Sequence, residues 1–180
     1  MTEFKILCTG NPNHFTIASG IEQNFPEADF ACRGTGYDLT MWEHNTEQYF
    51  KERIINYNVL INSSFIANGA QQKILEITKE CWKDRTGYVF NIGSSAEYEG
   101  QRNSFLPHYS IQKRALRDTS LALCSRTFRT THIIAGGIND NKPGHELWLR
   151  PTQIANVIKW ILHSNISVPI IGIEQLYHAK

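Results

Sequence analysis

The feature that most constrains this chain is an apolar run over residues 87–92 that stops at Gly93, Ser94 and Ser95 and is followed, after Pro107, by a helical pattern. An unbroken apolar run, rather than alternation, is what a strand covered on both faces needs, and a stop in small polar residues is how such a strand opens onto a ligand crevice. Pro107 suits the first turn of a helix. Beyond it Ile111, Ala115, Leu116, Thr119, Leu123 and Cys124 recur at the spacing of one buried helical face, which predicts a helix to about Thr127. Tyr109 and Lys113 then project from the same side, one turn apart.

The same unit of apolar strand, turn and amphipathic helix repeats along the chain. A strand over 4–9 runs into Gly10 and the turn Asn11, Pro12, Asn13, and Ile17, Ala18, Ile21 and Phe25 follow at helical spacing. A second strand is expected over 28–33, then a tight turn over 34–40 with Thr40 or Asn45 as a helix cap, and a helix that buries Tyr49, Phe50, Ile54 and Ile55. Further strands fall at 57–62, 129–135 and 168–173. Helices are expected around Ile74 to Trp82 and from Pro151, whose proline suits a first turn. Repeated strand–helix units with right-handed crossovers give an α/β fold: a Rossmann-like doubly wound parallel sheet with helices on both faces.

With 180 residues and 41% hydrophobic content, the chain is long enough for one domain with a core and short for two. A net charge of +1 with signs interspersed excludes the electrostatic footprint of nucleic-acid or membrane-surface binding. Arg114, Arg117, Arg126 and Arg129 read as a solvated helix face rather than a basic patch. Cys8, Cys32, Cys81 and Cys124 form no close pair, as expected of reduced core residues, and the histidines lack ligand-like spacing, so no metal site is expected. Neither a signal pattern nor a membrane-spanning run is present, and a cytoplasmic location follows as an expectation.

The pair Tyr109 and Lys113 has a chemical use. A neighbouring ammonium favours a phenolate and lowers the pKa of the phenol, and a serine hydroxyl at the adjacent strand end can hydrogen-bond a substrate oxygen. Ser94, Tyr109 and Lys113 together suit polarising a carbonyl and exchanging its proton, with Ser95 as an alternative to Ser94. Four-residue Tyr–Lys spacing is commonplace by itself. Its weight comes from the strand end, loop and helix start around it.

In this order of elements the chain resembles the short-chain dehydrogenase/reductase family, over almost its whole length, as a small atypical member. Ser94, Tyr109 and Lys113 match the catalytic motif of that family. The resemblance implies a sheet of order 3-2-1-4-5-6-7 and a nicotinamide nucleotide bound by Gly10, Asn13, His14 and Phe15 in the first turn. It also implies contacts from Arg33 and Asp38 after the second strand, Asn62 and Ser63 after the strand at 57–62, Tyr109 and Lys113, and Gly136 and Ile138 near the nicotinamide. The glycine pattern departs from that of the family, because His14 and Thr16 replace its later glycines. Ser63 and Ser64 replace an Asn and an Ala, a helical segment before the helix at Ile74 is shortened, and the catalytic asparagine has no counterpart beyond Asn68, which also reads as a turn residue. Arg33, where an acidic residue would take the ribose of NAD, favours NADP(H) over NAD(H), with a plain surface arginine as the alternative; Asp38 likewise reads as a turn residue.

The expected activity is therefore an NADP-dependent oxidoreductase of carbonyl reductase or alcohol dehydrogenase type, acting on a small carbonyl or alcohol. The alternative is a catalytically idle nucleotide-binding or scaffold protein on the same fold, and a third option is isomerisation of a nucleotide-linked substrate. The resemblance also implies a homodimer or homotetramer. Trp160, Ile161 and Tyr177 are expected in the core or a subunit interface, and the short segment between Gly136 and Arg150 as a loop over an open pocket.

Overall fold

The computed structural model describes residues 3–39, 44–64, 69–99, 107–164 and 166–175. Six strands, β1 (Ile6–Thr9), β2 (Asp29–Ala31), β3 (Val59–Asn62), β4 (Gly87–Ile92), β5 (Phe128–Ala135) and β6 (Ile170–Ile173), form one parallel sheet in the order β2-β1-β3-β4-β5-β6. The helices are α1 (Ile17–Asn24), α2 (His44–Ile54), α3 (Ala70–Cys81), α4 (Ala96–Glu99), α5 (Pro107–Leu123) and α6 (Pro151–Ser164). The expected doubly wound α/β architecture is present. The seven-strand order is corrected: among the described residues the strand that would lie outside β2 is missing, because Arg33–Thr35 forms a single 3₁₀ turn and the chain proceeds to α2.

Each sheet face has its own core. On one side Cys8, Ile61, Phe90 and Ile133 pack with Ile21 of α1 and Ile154 and Ile158 of α6. On the other Leu7, Leu60, Val89 and Phe128 pack with Phe50 of α2, Ile74 and Leu75 of α3 and Leu116 of α5. Alternation of side chains along each strand assigns the two sets, which is why the strands read as unbroken apolar runs. Gly20 allows α1 and α6 to touch, since a Cβ there would collide with the Pro151 backbone.

Strand register also puts a polar row across the second face. Thr9 of β1 pairs with Asn62 of β3, Asn62 with Asn91 of β4, and Asn91 with His132 of β5; all four are fully buried. Buried polar groups need partners. Asn62 Nδ2 donates to Asn91 Oδ1 (3.0 Å) and to the Gln71 carbonyl (2.8 Å), and Asn91 Nδ2 donates to Ser120 Oγ (3.1 Å). This row caps the apolar core just below the C-terminal edge of the sheet.

The row corrects the expected face of α5. The residues it buries are Ser110, Lys113, Leu116 and Ser120, whereas Ile111 is 54% exposed and Leu121 is 41% exposed. A helix over a polar row buries polar residues, so an apolar-only periodicity rotates the face. The helix ends at Leu123 rather than near Thr127, because Ser125 takes a two-bond turn with Phe128 to start β5. Phe50 and Ile54 of α2 are buried as expected, but Tyr49 is exposed, as is Ile55 just past the helix end. Cys8 alone of the four cysteines is fully buried, and Cys32 lies just past β2; all four are free thiols. Ile161 is buried and Trp160 half exposed. Thr40, Asn68 and Tyr177 lie outside the described residues.

Candidate active site

All six strands run parallel, so the segments after β1, β2, β3, β4 and β5 open on one edge of the sheet. The neighbours of β1 are β2 and β3, and at this reversal of strand order an open α/β sheet forms its crevice. Ser63 and Ser64 close the reversal: both backbone N–H groups donate to Thr9 Oγ1 (2.9 and 3.1 Å), and the Ser63 hydroxyl donates to the Thr9 carbonyl. Gly10 has a φ of +133°, and a Cβ there would press on Ala18 and Ser63, so this glycine is required both for its conformation and for space.

A cleft of about 240 Å³ lies at this point, lined by Gly10, Asn11, His14, Ala31, Cys32, Arg33, Tyr37, Asp38, Leu39 and Ser64. His14 and Arg33 thus share one wall with Gly10, as expected, while Asn13 and Phe15 sit outside the lining. Asn13 donates its N–H to Asn11 Oδ1 (3.0 Å), and Thr16 caps α1, its N–H donated to Ser19 Oγ (3.2 Å). Arg33 Nε is 3.0 Å from Asp38 Oδ2, with the side chains 71% and 37% exposed. An ion pair that exposed contributes little to stability and re-forms readily on another anion. Asn62 is wholly buried, its side chain in the polar row and its carbonyl accepting from Gln71, so it does not face the cleft.

The second half of the edge lies beyond β4. Ser94 Oγ accepts from the Ala96 N–H (3.3 Å) and hydrogen-bonds Tyr109. The neighbouring Ser95 N–H donates to the Ala135 carbonyl (2.8 Å), tying this turn to the end of β5. Lys113 Nζ lies 5.5 Å from the centre of the Tyr109 ring and is buried, donating to Gln71 Oε1 (2.7 Å) and to the Ile92 carbonyl (2.7 Å). The structure therefore brings Ser94, Tyr109 and Lys113 together.

Their electrostatics differ from the sequence expectation. Burial pushes the Tyr109 phenol above its ordinary value, the hydrogen bond with Ser94 opposes this, and the Glu97 charge reinforces it. Burial also pulls Lys113 down to about 7, against the pull of Glu97. The expected lowering of the phenol by Lys113 is corrected: Lys113 lies over the ring face, held from below by α3 and β4, and burial sets the direction of the Tyr109 shift. Around neutral pH Tyr109 is therefore a protonated phenol.

Sequence reasoning missed Gln71, Glu97 and His132. Gln71 opens α3 and joins the two strands on which the site stands: its Nε2 donates to the Asn62 carbonyl (2.8 Å) and the Ile92 carbonyl (3.4 Å), while its Oε1 accepts from Lys113. Nothing in its immediate sequence marks it. His132 was findable as a polar residue inside the apolar run of β5, in register with Asn91 and Asn62.

Gly136 and Ile138 follow β5 on the same edge. Gly136 N–H donates to the Ile173 carbonyl (2.9 Å), and Ile138 bridges Leu149, with the Asn139 N–H donated to the Leu149 carbonyl (2.8 Å). The intervening loop is folded on itself: His145 stacks on Trp148 at 3.5 Å, and Asp140 binds both Lys142 and His145, which holds its carboxyl far below the ordinary carboxylate range.

No family model matches the chain, and no curated protein matches it. Solved structures do. An alcohol dehydrogenase from Thermococcus sibiricus complexed with 5-hydroxy-NADP is 13% identical with a TM-score of 0.72, each chain covered to 99%. The FolM alternative dihydrofolate reductase 1 from Brucella canis complexed with NADP is 14% identical with a TM-score of 0.71, covering 93% of this chain and 91% of that one. A 3-ketoacyl-(acyl-carrier-protein) reductase from Brucella melitensis complexed with NADH is 12% identical with a TM-score of 0.70, covering 94% and 96%. The chain has the short-chain dehydrogenase fold. Among the described residues no helix is long and apolar enough to cross a membrane, and no cluster of His, Cys, Asp and Glu is placed to hold a metal ion.

Proposed function

We propose that this protein is an NADP-dependent oxidoreductase that reduces a small carbonyl compound, or oxidises the corresponding alcohol. The observation that carries the reading is the hydrogen-bonded pair Ser94 and Tyr109, standing over buried Lys113 on the edge where Gly10 opens a cleft. Gly10 and His14 would border the phosphates, with Arg33 beside a 2′-phosphate. Gly136 and Ile138 would lie near the nicotinamide end. The fit is supported by the absence of a side chain at Gly10, where a Cβ would crowd Ser63, and by an exposed guanidinium on the cleft wall. When bound, a nicotinamide nucleotide supplies or accepts the hydride.

The residues of the chain do the rest. Ser94 orients the substrate oxygen, and Tyr109 donates its phenolic proton to that oxygen in reduction and takes it back in oxidation. A phenol raised by burial favours reduction near neutral pH. Oxidation, which needs the phenolate, should rise as pH climbs towards the Tyr109 pKa, while reduction declines there. Lys113 keeps the helix seated on β4 through the Ile92 carbonyl and places a proton-bearing group beneath the ring. Neighbours with this fold that were solved with NADP or NADH support the cofactor class.

The test is NADPH consumption with a panel of aldehydes and ketones, comparing the wild type with Tyr109→Phe. Turnover by the first and its loss in the second supports the assignment; equal turnover removes Tyr109 from the chemistry. A second reading, an idle nucleotide-binding or scaffold protein, is favoured by one observation: His14 occupies the cleft wall where the family pattern has glycine. NADPH binding without turnover of any carbonyl would select it. A homodimer or homotetramer is proposed on the family resemblance, to be read by light scattering.

A further inference from the structure

Behind Ser94 lies a buried acid–imidazole pair that the reading above does not use. Glu97 stands three residues after Ser94, and its Oε1 accepts from the Ser94 N–H (2.9 Å) while the Ser94 hydroxyl accepts from the Ala96 N–H, a cap on the start of α4. A cap of this kind ordinarily sits at the surface. Here the Glu97 side chain is wholly buried, and the same oxygen meets Nε2 of the equally buried His132 at 2.8 Å. Glu97 Oε2 is 3.8 Å from an Arg117 nitrogen and, like His132 Nδ1, makes no hydrogen bond.

Gly93 shows that the pair is built in. Its φ is not positive, so conformation does not require glycine, yet a Cβ there would collide with both His132 Nε2 and Glu97 Oε1. The chain gives up a side chain immediately before the serine to admit these two. Burying a carboxylate is costly, and capping four residues of helix does not need it. The titratable and charged groups facing Glu97 are Tyr109, Lys113 and Arg117 from α5 and His132 from β5, and its charge favours the protonated forms of both Tyr109 and Lys113.

We infer that Glu97, held by His132, is a positioning residue of the site: it fixes the Ser94 turn and sets a carboxylate behind the serine that meets Tyr109. This rests on Tyr109 being the proton donor. Glu97→Gln keeps the acceptor and the shape but removes the charge, whereas Glu97→Ala removes both.

The decisive readout is the phenolate absorbance of Tyr109, taken as the difference between each variant and the same variant carrying Tyr109→Phe. In Glu97→Gln the midpoint should fall, and the alkaline limb of carbonyl reduction should move down with it while the plateau kcat stays within about twofold. In Glu97→Ala the plateau kcat should fall roughly tenfold, with the KM for NADPH unchanged, because the Ser94 turn is released. If Glu97→Gln does not fold, the double variant Glu97→Leu with His132→Leu replaces the pair by apolar groups of similar size and should show the same fall in midpoint. An unmoved midpoint in a folded variant overturns the inference. Full turnover by Tyr109→Phe would instead overturn the assignment of Tyr109 and leave the titration standing.

Discussion

The two halves of the edge are built from opposite materials. At the cleft beyond β1 and β2 the polar groups are exposed, and the Arg33–Asp38 pair sits in solvent. At the β4–α5 end Lys113, Gln71, Asn62, Asn91, Glu97 and His132 are all buried, and most of their polar atoms are bonded to each other or to strand carbonyls. Exposed pairs are weak and can exchange partners, which suits a surface that must greet a charged ligand. Buried networks hold one geometry and penalise any missing member, which suits groups that must meet a reacting atom. Substitutions should therefore cost affinity in the first half and rate or stability in the second.

The largest effect expected is on rate. Tyr109→Phe should lower kcat by about 10²- to 10⁴-fold, while NADPH affinity, read from tryptophan fluorescence, changes less than about threefold. An equal loss of affinity would erase the division between the halves. Next comes Gln71→Ala, which takes one of the two acceptors from buried Lys113 and the side-chain donor from the Asn62 carbonyl; chemical denaturation should show a loss of about 2–3 kcal/mol. Arg33→Ala should leave stability unchanged and weaken NADPH about tenfold or more, with little effect on NADH.

The effect smallest at any one step of pH is a slope. Lys113 is held at about 7 when folded and returns to its ordinary 10.5 when unfolded. Within that window the unfolded chain binds the extra proton, so stability should rise with pH from about 7 towards 10.5 and lose this contribution as pH falls through 7. The slope is on the order of 1 kcal/mol per pH unit. Lys113→Met should flatten it, as measured by denaturation at several pH values.

How much of this was legible beforehand follows from what periodicity can carry. Runs such as 57–62 and 87–92 announce a parallel sheet because both faces are covered, and Pro151 marks the start of α6 as expected. The Tyr109–Lys113 placement follows from helix geometry, and Ser94 from the strand end. The missing outer strand was not legible, because a turn that replaces a strand leaves no apolar run to count and the family order was assumed. The α5 face escapes an apolar count for a different reason: three of its buried residues are Ser110, Lys113 and Ser120, and Ser120 accepts from Asn91, so burial there is polar. The sign of the Tyr109 shift was missed because it depends on desolvation, which needs the fold.

On the proposed function, the exposed cleft and the buried Ser94–Tyr109 end are two ends of one nucleotide site. The direct measurement is a fluorescence titration of the wild type and Arg33→Ala with NADPH and with NADH. Saturable binding is predicted, tighter for NADPH than for NADH in the wild type and nearly equal in the variant. No saturable response to either nucleotide would contradict it.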